Sequence, residues 1–338
     1  MSAALDAGAV AAWVDGRLPG FDGPIEARKF DFGQSNPTYR IDTGAGPYVL
    51  RRKPGGALLA SAHAVEREFR VQSALAGTAV PVPRVHLLCE DAGVIGAPFY
   101  LMDLVEGRHF RDPRLEEIGR EERGRVMDAM NRTLAAIHNV DLGAAGLTDY
   151  GAGGDYYARQ MGRWTRQYRS SETGRIAAME ELIAALESGR PADEGRRTLV
   201  HGDYRIDNML FGAGGACVAV LDWELSTLGH PLADLGAVLM QWRMPAGPDG
   251  RGLAGVDRAA QGLPEDAAFV DDYCARTGAQ ARDLGFHVAF AFFRMAAILQ
   301  GVKRRALDGN ASNPERAARM GALVPDFAAG GLAALADG

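Results

Sequence analysis

Asp203, Asn208 and Asp222 are the residues whose types and spacing suit a single piece of chemistry. Asp203 lies in the run Leu199-Val200-His201-Gly202-Asp203-Tyr204-Arg205-Ile206-Asp207-Asn208-Met209-Leu210-Phe211, where Asn208 enters an apolar stretch. Asp222 closes the next such stretch, Val218-Ala219-Val220-Leu221. Moving a phosphoryl group from a nucleotide triphosphate to a hydroxyl asks little covalent work of a protein. It needs a carboxylate to orient and deprotonate the hydroxyl, and oxygen ligands for the Mg²⁺ on the triphosphate. Mg²⁺ takes one or two protein carboxylates and completes its shell with phosphate oxygens and water. Asp203 suits the base, while Asn208 and Asp222 suit the metal. Asp and Asn also favour turns, but turn chemistry alone does not call for a carboxyl group at the end of the second apolar stretch.

Holding these side chains requires a hairpin and a frame around it. The hairpin is predicted from Asn208 to Phe211 and Cys217 to Leu221, turned by Gly212-Ala213-Gly214-Gly215. Upstream, a short helix is expected around Leu5 to Val14, then strands at Ile25 to Phe32, Thr38 to Asp42 and Tyr48 to Lys53. A helix from Ala62 to Ala76 follows, with Val65, Phe69, Gln72 and Leu75 at helical spacing, and then strands at Val85 to Cys89 and Phe99 to Leu104. After Glu106-Gly107 helical patterns dominate: Glu121 to His138, Asp155 to Arg169, Ala177 to Leu186, Leu232 to Met244, Glu265 to Arg276, Phe286 to Arg305 and Pro314 to Leu323. Residues 244–262, rich in Gly, Pro and Asp, read as a surface excursion. The layout is α+β: a small β-rich lobe over residues 1–104, with a five-stranded sheet and one main helix, and a larger helical lobe over 105–338. A hinge is expected between them at Asp103 to Gly107.

Composition narrows the partners. A net charge of -6 over 338 residues argues against broad nucleic-acid binding, which needs a basic face. Cys89, Cys217 and Cys274 lie far apart with no C-x-x-C spacing, so a disulfide framework or zinc knuckle is not expected. The opening residues have no basic region and carry Asp6 and Asp15, which makes a poor signal peptide. The apolar stretch Phe286 to Val302 is interrupted by Arg294 and reads as a buried helix rather than a membrane span. A cytoplasmic protein with no membrane partner fits these features.

The segment around Asp203 resembles the aminoglycoside phosphotransferase and choline kinase superfamily, and the resemblance runs from about Phe32 to about Arg305. It implies a protein-kinase-like two-lobed fold, with ATP or GTP as donor and Mg²⁺ as cofactor. In it Asp203 is the catalytic Asp, and Asn208 and Asp222 are the metal ligands. Kinases also hold the α- and β-phosphates with a cation on the third strand, paired with a Glu on the following helix. Val49, Arg51 and Lys53 share one strand face, so Arg51 and Lys53 are both candidates for that cation. Arg51 stands where the family usually has Lys, and Glu68, nearer the buried face than Glu66, aligns with the pairing Glu. The loop Gly33-Gln34-Ser35-Asn36 resembles the phosphate-covering loop, in which Ser35 and backbone N–H groups would contact phosphates; a plain hairpin turn is the other reading. Phe99 to Gly107 looks like the strand and hinge beside the adenine, with Met102 as a wall and Asp103 and Val105 in the base-reading backbone. Asp234 resembles the family Asp that fastens the catalytic loop. His201 is expected to brace that loop, His138 to pack in the core, and Glu224 either to touch the metal or to support Asp222.

The short interval from Asp222 to Asp234 leaves little room for a long activation segment, and Gly202 stands where protein kinases carry Arg. Both point to a small-molecule hydroxyl acceptor. Within the superfamily the chain is similar to the kinase-like domain associated with acyl-CoA dehydrogenases. That likeness rests on Leu50-Arg51-Arg52-Lys53-Pro54, Ser61-Ala62-His63-Ala64-Val65-Glu66-Arg67-Glu68, Val80-Pro81-Val82-Pro83 and Asp222-Trp223-Glu224-Leu225-Ser226-Thr227-Leu228-Gly229. It implies a hydroxyacyl-CoA, a CoA thioester, or a related hydroxy acid as acceptor. Arg294, Lys303, Arg304 and Arg305 could meet such an anion, and equally suit the C-terminal end of a helix. An aminoglycoside acceptor and a nucleotide-binding pseudokinase without turnover are the alternatives. A metal-dependent hydrolase built on His201 fails for want of a second histidine at ligand spacing.

Overall fold

A computed structural model describes residues 5–30, 36–54, 64–247, 251–310 and 313–337. It divides into two compact units: Met1–Phe110 with Asp141–Leu147 and Asp207–Ser226, and Arg111–Val140 with Thr148–Ile206 and Thr227–Gly338. This partition is finer than a single cut after Leu104, because the segment carrying Asn208 and Asp222 groups with the first unit.

In the first unit, α1 (Ala7–Val14) starts at Asp6, whose carboxylate accepts the Ala9 N–H at 2.9 Å. Strands β1 (Glu26–Lys29), β2 (Thr38–Thr43) and β3 (Gly46–Arg52) lead to α2 (Val65–Leu75), and β4 (Val85–Cys89), α3 (Ala92–Ile95), β5 (Phe99–Asp103) and β6 (Arg108–His109) follow. The first five strands form one antiparallel sheet in the order β1-β2-β3-β5-β4. Strand alternation sorts its residues between two cores. Leu50, Phe99 and Leu101 pack with Val10 and Val14 of α1. Val49, Tyr100 and Met102 pack with Val65 of α2. Each fully buried side chain of this kind contributes about 1.5–3 kcal/mol. Arg51, two residues beyond Val49, therefore faces α2 rather than α1.

The predicted hairpin forms from Met209–Phe211 and Cys217–Val220, and β6 extends it to three strands. Its turn needs left-handed backbone at Gly214 (φ 80°) and Gly215 (φ 90°), which glycine adopts without steric cost.

The second unit is helical: α4 (Arg120–His138), α5 (Tyr156–Ser170), α6 (Ala177–Ser188), α7 (Leu232–Trp242), α8 (Arg258–Gln261), α9 (Asp266–Thr277), α10 (Leu284–Leu307), α11 (Pro314–Ala322) and α12 (Val324–Ala336). Helix α10 is long and apolar enough to cross a membrane, but 72% of its most apolar window is buried inside the protein, as for a core helix. Helices α7 and α10 approach closely at Gly236, where an added Cβ would lie 2.6 Å from the His287 carbonyl oxygen. An antiparallel ladder of Thr198–Val200 with Thr227–Gly229, not expected from the sequence, leads straight into the segment carrying Asp203. Three-residue strands carry too little alternation to be read from sequence. Helices α3 and α12 were likewise not expected.

Candidate active site

Arg51 is the centre of the site in the first unit. Its Nε lies 2.8 Å from Glu68 Oε2, and its Nη2 pairs with Asp222 Oδ1. Glu68, 1% exposed at its side chain, also accepts from Asn36 Nδ2 at 2.6 Å and from the Tyr100 hydroxyl at 3.0 Å. Gln72 in turn donates to the Tyr100 oxygen at 3.1 Å. Asn36 Nδ2 reaches Glu224 Oε2 at 3.3 Å as well. Burial pushes the Glu68 carboxyl up, to about 7, against the pull of Arg51. Burial also opposes the Arg51 charge, and Glu68 and Asp222 outweigh it, holding the guanidinium above its ordinary range. A buried ion pair is a poor source of net stability, because desolvation consumes most of its Coulomb gain. The arrangement is better understood as positioning. The planar fork of Arg meets two carboxylates at once, which the point charge of Lys does less well.

Asp222 adopts left-handed backbone (φ 66°, ψ 57°), uncommon for a residue with a side chain and a mark of functional sites. The Leu221 N–H donates to the Asn208 carbonyl at 2.8 Å, so the hairpin seats Asn208 beside the approach to Asp222. Carboxylate oxygens of Glu68, Asp222 and Glu224 all lie within 4.8 Å of one another. With the Asn208 carboxamide nearby in sequence, the donors offered are all oxygen, which fits a hard cation such as Mg²⁺.

In the second unit the segment carrying Asp203 is fastened from below. Asp234 on α7, 1% exposed, accepts the His201 N–H at 2.7 Å and the Gly202 N–H at 2.8 Å. His138 Nε2 lies 3.3 Å from the same carboxylate, and its Nδ1 lies 2.7 Å from the Tyr273 hydroxyl of α9. The ring of His201 accepts the Asp203 N–H at 3.2 Å, Tyr204 donates to the Met130 carbonyl at 2.7 Å, and Arg294 of α10 donates to the Gly202 carbonyl at 2.6 Å. Asp203 itself is 32% exposed and lies 3.2 Å from Arg205 Nε. A firmly held loop thus presents one partly exposed carboxylate.

Burial pushes Asp234 up, yet the hydrogen bond and charge of His138, the charge of His201 and the Gly202 N–H outweigh it and hold its pKa below the ordinary carboxyl value. Its stabilisation is therefore complete above that ordinary value and is lost as pH falls through the folded one. Asp234→Ala should leave two buried N–H groups without acceptors, at about 1–3 kcal/mol each. Urea unfolding at neutral pH checks the loss, and Asp234→Asn should flatten the acid limb of stability. Equal stability of wild type and Asp234→Ala would remove Asp234 as the fastener.

Several expectations can be placed directly. Arg51, not Lys53, meets Glu68; Lys53 pairs with Glu66 at 3.1 Å. Met102 is buried in the core beneath α2. Asp103 donates its N–H to the Arg84 carbonyl, and its carboxylate lies 2.6 Å from His86 Nε2. Val105 is half-buried just beyond β5. Ser35 lies outside the described residues. Glu224 stands with Glu68 and Asp222. Arg304 is paired with Asp308 at 2.9 Å, a helix-end role. Asn36, Tyr100, Arg205 and Tyr273 carry contacts that sequence reasoning did not assign. Only Asn36 had a signal, its place in the Gly33–Asn36 loop.

Residues 26–284 match a family described as the phosphotransferase enzyme family. Acyl-CoA dehydrogenase family member 10 of Mus musculus is 48% identical over 294 residues, covering 86% of this chain and 27% of that protein. This chain thus spans about a quarter of that relative's length. A crystal structure of a Ralstonia eutropha protein, provisionally named an aminoglycoside phosphotransferase, matches with TM-score 0.90 and 44% identity over 99% of each chain. A thermostable mutant of an aminoglycoside phosphotransferase, solved with ADP and hygromycin B, shares the fold at 17% identity and TM-score 0.64, over 92% of this chain and 95% of its own.

Proposed function

The chain belongs to the phosphotransferase enzyme family, and from there we propose that it is a small-molecule kinase moving the γ-phosphate of ATP or GTP onto an acceptor hydroxyl. The arrangement of Arg51 between Glu68 and Asp222 is the observation that carries this reading. A guanidinium shared by a helix carboxylate and the Asp222 carboxylate has the charge pattern that suits a magnesium triphosphate: Arg51 would meet phosphate oxygens, and Asp222 would hold the metal.

In this proposal residues 1–104 bind the nucleotide and residues 105–338 supply the acceptor site. Arg51, oriented by Glu68, holds the α- and β-phosphates, and the backbone from Asp103 to Val105, with Met102 behind it, meets the base. Asn208 and Asp222 would hold Mg²⁺, which when bound neutralises charge on the β- and γ-phosphates. Asp203 orients the acceptor hydroxyl and accepts its proton as the oxygen attacks the γ-phosphorus. The bond from that phosphorus to the β–γ bridging oxygen breaks, and the nucleoside diphosphate leaves.

The likeness to acyl-CoA dehydrogenase family members supports a hydroxyacyl-CoA or hydroxy acid as acceptor. The test is a panel of 3-hydroxybutyryl-CoA, 3-hydroxybutyrate and kanamycin with MgATP or MgGTP, read as phosphorylated product. Transfer to one of the hydroxyacyl compounds is expected. Transfer to kanamycin alone would sink the acyl acceptor. Tight nucleotide binding without transfer to any acceptor would favour a nucleotide-binding module without turnover.

A further inference from the structure

Arg163 and Tyr156 in the second unit carry no role assigned so far, and Arg294 serves so far only as a brace for the Gly202 carbonyl. Arg163 on α5 and Arg294 on α10 both lie against the ring of Trp164, at 5.2 and 5.4 Å from its centre. Arg294 also donates to the Gly202 carbonyl, one residue before Asp203. Among the described residues no carboxylate pairs with either guanidinium. Arg163 is exposed and Arg294 half-buried; desolvation and the charge of Arg294 lower the Arg163 pKa, and Tyr156 acts to raise it. Tyr156, at the start of α5, is 8% exposed, and among the described residues its hydroxyl makes no hydrogen bond. Burial raises that hydroxyl to about 12, while Arg294, Arg159 and Arg163 act on it in the opposite direction. Of the acids, Asp234 also acts on it, but its carboxylate is committed to His201, Gly202 and His138.

A brace for the Gly202 carbonyl needs Arg294 alone. It gives no reason for a second guanidinium on the same indole, nor for a largely buried tyrosine whose hydroxyl no described residue engages. An oxyanion supplies both, since it accepts from the phenol and from guanidinium N–H groups, and such charge-assisted hydrogen bonds are the strong ones. On the reading that Asp203 serves a phosphotransferase, we propose that Tyr156, Arg163 and Arg294 form a receptor for an oxyanion carried by the acceptor, so that the enzyme selects anionic acceptors and disfavours polycations. The oxyanion is a carboxylate or a phosphate group. Tyr156 and Arg163 determine acceptor specificity, and Arg294 joins their site to the segment that presents Asp203.

The test uses the full chain with Arg163→Gln and Tyr156→Phe, because Arg294 also braces the loop. Calorimetry follows binding of 3-hydroxybutyrate, which offers a free carboxylate, and of 3-hydroxybutyryl-CoA, which offers phosphates and no free carboxylate. Steady-state rates with MgATP follow turnover of whichever binds. The expected result is acceptor affinity weakened about 10- to 100-fold in each variant. The acceptor KM should rise far more than kcat falls, with the MgATP KM unmoved. Loss confined to 3-hydroxybutyrate identifies a carboxylate receptor, and loss confined to the CoA ester a phosphate receptor. The proposal is overturned if neither anion binds wild type, if both variants bind the anions as wild type does, or if kanamycin is the preferred acceptor. Wild type and Asp203→Asn, assayed in parallel, separate the two readings: no transfer by wild type to any acceptor removes the phosphotransferase assignment, wild-type turnover by Asp203→Asn removes Asp203 as the base, and an inactive Asp203→Asn beside unaltered Arg163→Gln and Tyr156→Phe removes only the oxyanion receptor.

Discussion

Asp203→Ala should lower kcat by about 10²-fold or more, the usual contribution of a positioned general base, while MgATP still binds. The side chain is partly exposed, with Arg205 at 3.2 Å, so a carboxylate there is paired yet accessible to an incoming hydroxyl. The loop has fastenings that do not involve that carboxylate. It is held by backbone N–H groups on Asp234, by the His201 ring and by Arg294, and none of these contacts uses the Asp203 side chain. Removing the carboxylate should therefore spare stability and nucleotide affinity while stopping chemistry. Single-turnover rates, with MgATP affinity measured separately, give the check. A variant that turns over as fast as wild type would exclude Asp203 as the base.

Asp222→Ala should act at the other step, abolishing the Mg²⁺-dependent part of nucleotide affinity. Even changes in groups that only support metal ligands typically cost ~10–100-fold in metal affinity, and a direct ligand should cost at least as much. Asp222 is poised for this role in two ways. Its left-handed backbone holds the carboxylate in a conformation most residues avoid, and Arg51 is its charge partner. Asn tolerates left-handed backbone better than most residues. Asp222→Asn thus separates loss of charge from loss of shape. Titrating ATP with and without Mg²⁺ should show a large metal effect in wild type and little in either variant. An equal Mg²⁺ effect in all three proteins would place the metal elsewhere. Matched mild losses in Asp203→Ala and Asp222→Ala would count against both assignments.

The parts of the site legible in sequence are those in which neighbours along the chain are neighbours in space. Asn208 and Asp222 flank one hairpin, and its glycine turn brings them together. Asp234 enters a helix soon after that hairpin, and the apolar face of α7 places its start in the core. Choosing between Arg51 and Lys53 is a different matter. Two residues apart on a strand, they share a face, and alternation cannot separate them. Lys53 falls past the end of β3 and meets Glu66, whereas Arg51 lies within the strand and reaches Glu68. The Asn36–Glu68 and Tyr100–Glu68 contacts join residues 32 positions apart, and no local pattern announces them.

Beyond the cation–Glu68 pairing that the family resemblance implies, the sequence by itself determined the β-rich beginning and helical remainder, and the carboxylates and carboxamide suited to phosphoryl transfer. Each follows from short-range periodicity, from turn chemistry or from a contiguous motif. Only the tertiary structure decided that one guanidinium serves both Glu68 and Asp222, that Tyr273 and His138 stand behind Asp234, and that Arg163 and Arg294 share one indole. Those contacts depend on which faces of distant elements meet, and that is settled by the packing of the whole core rather than by any stretch of the chain alone.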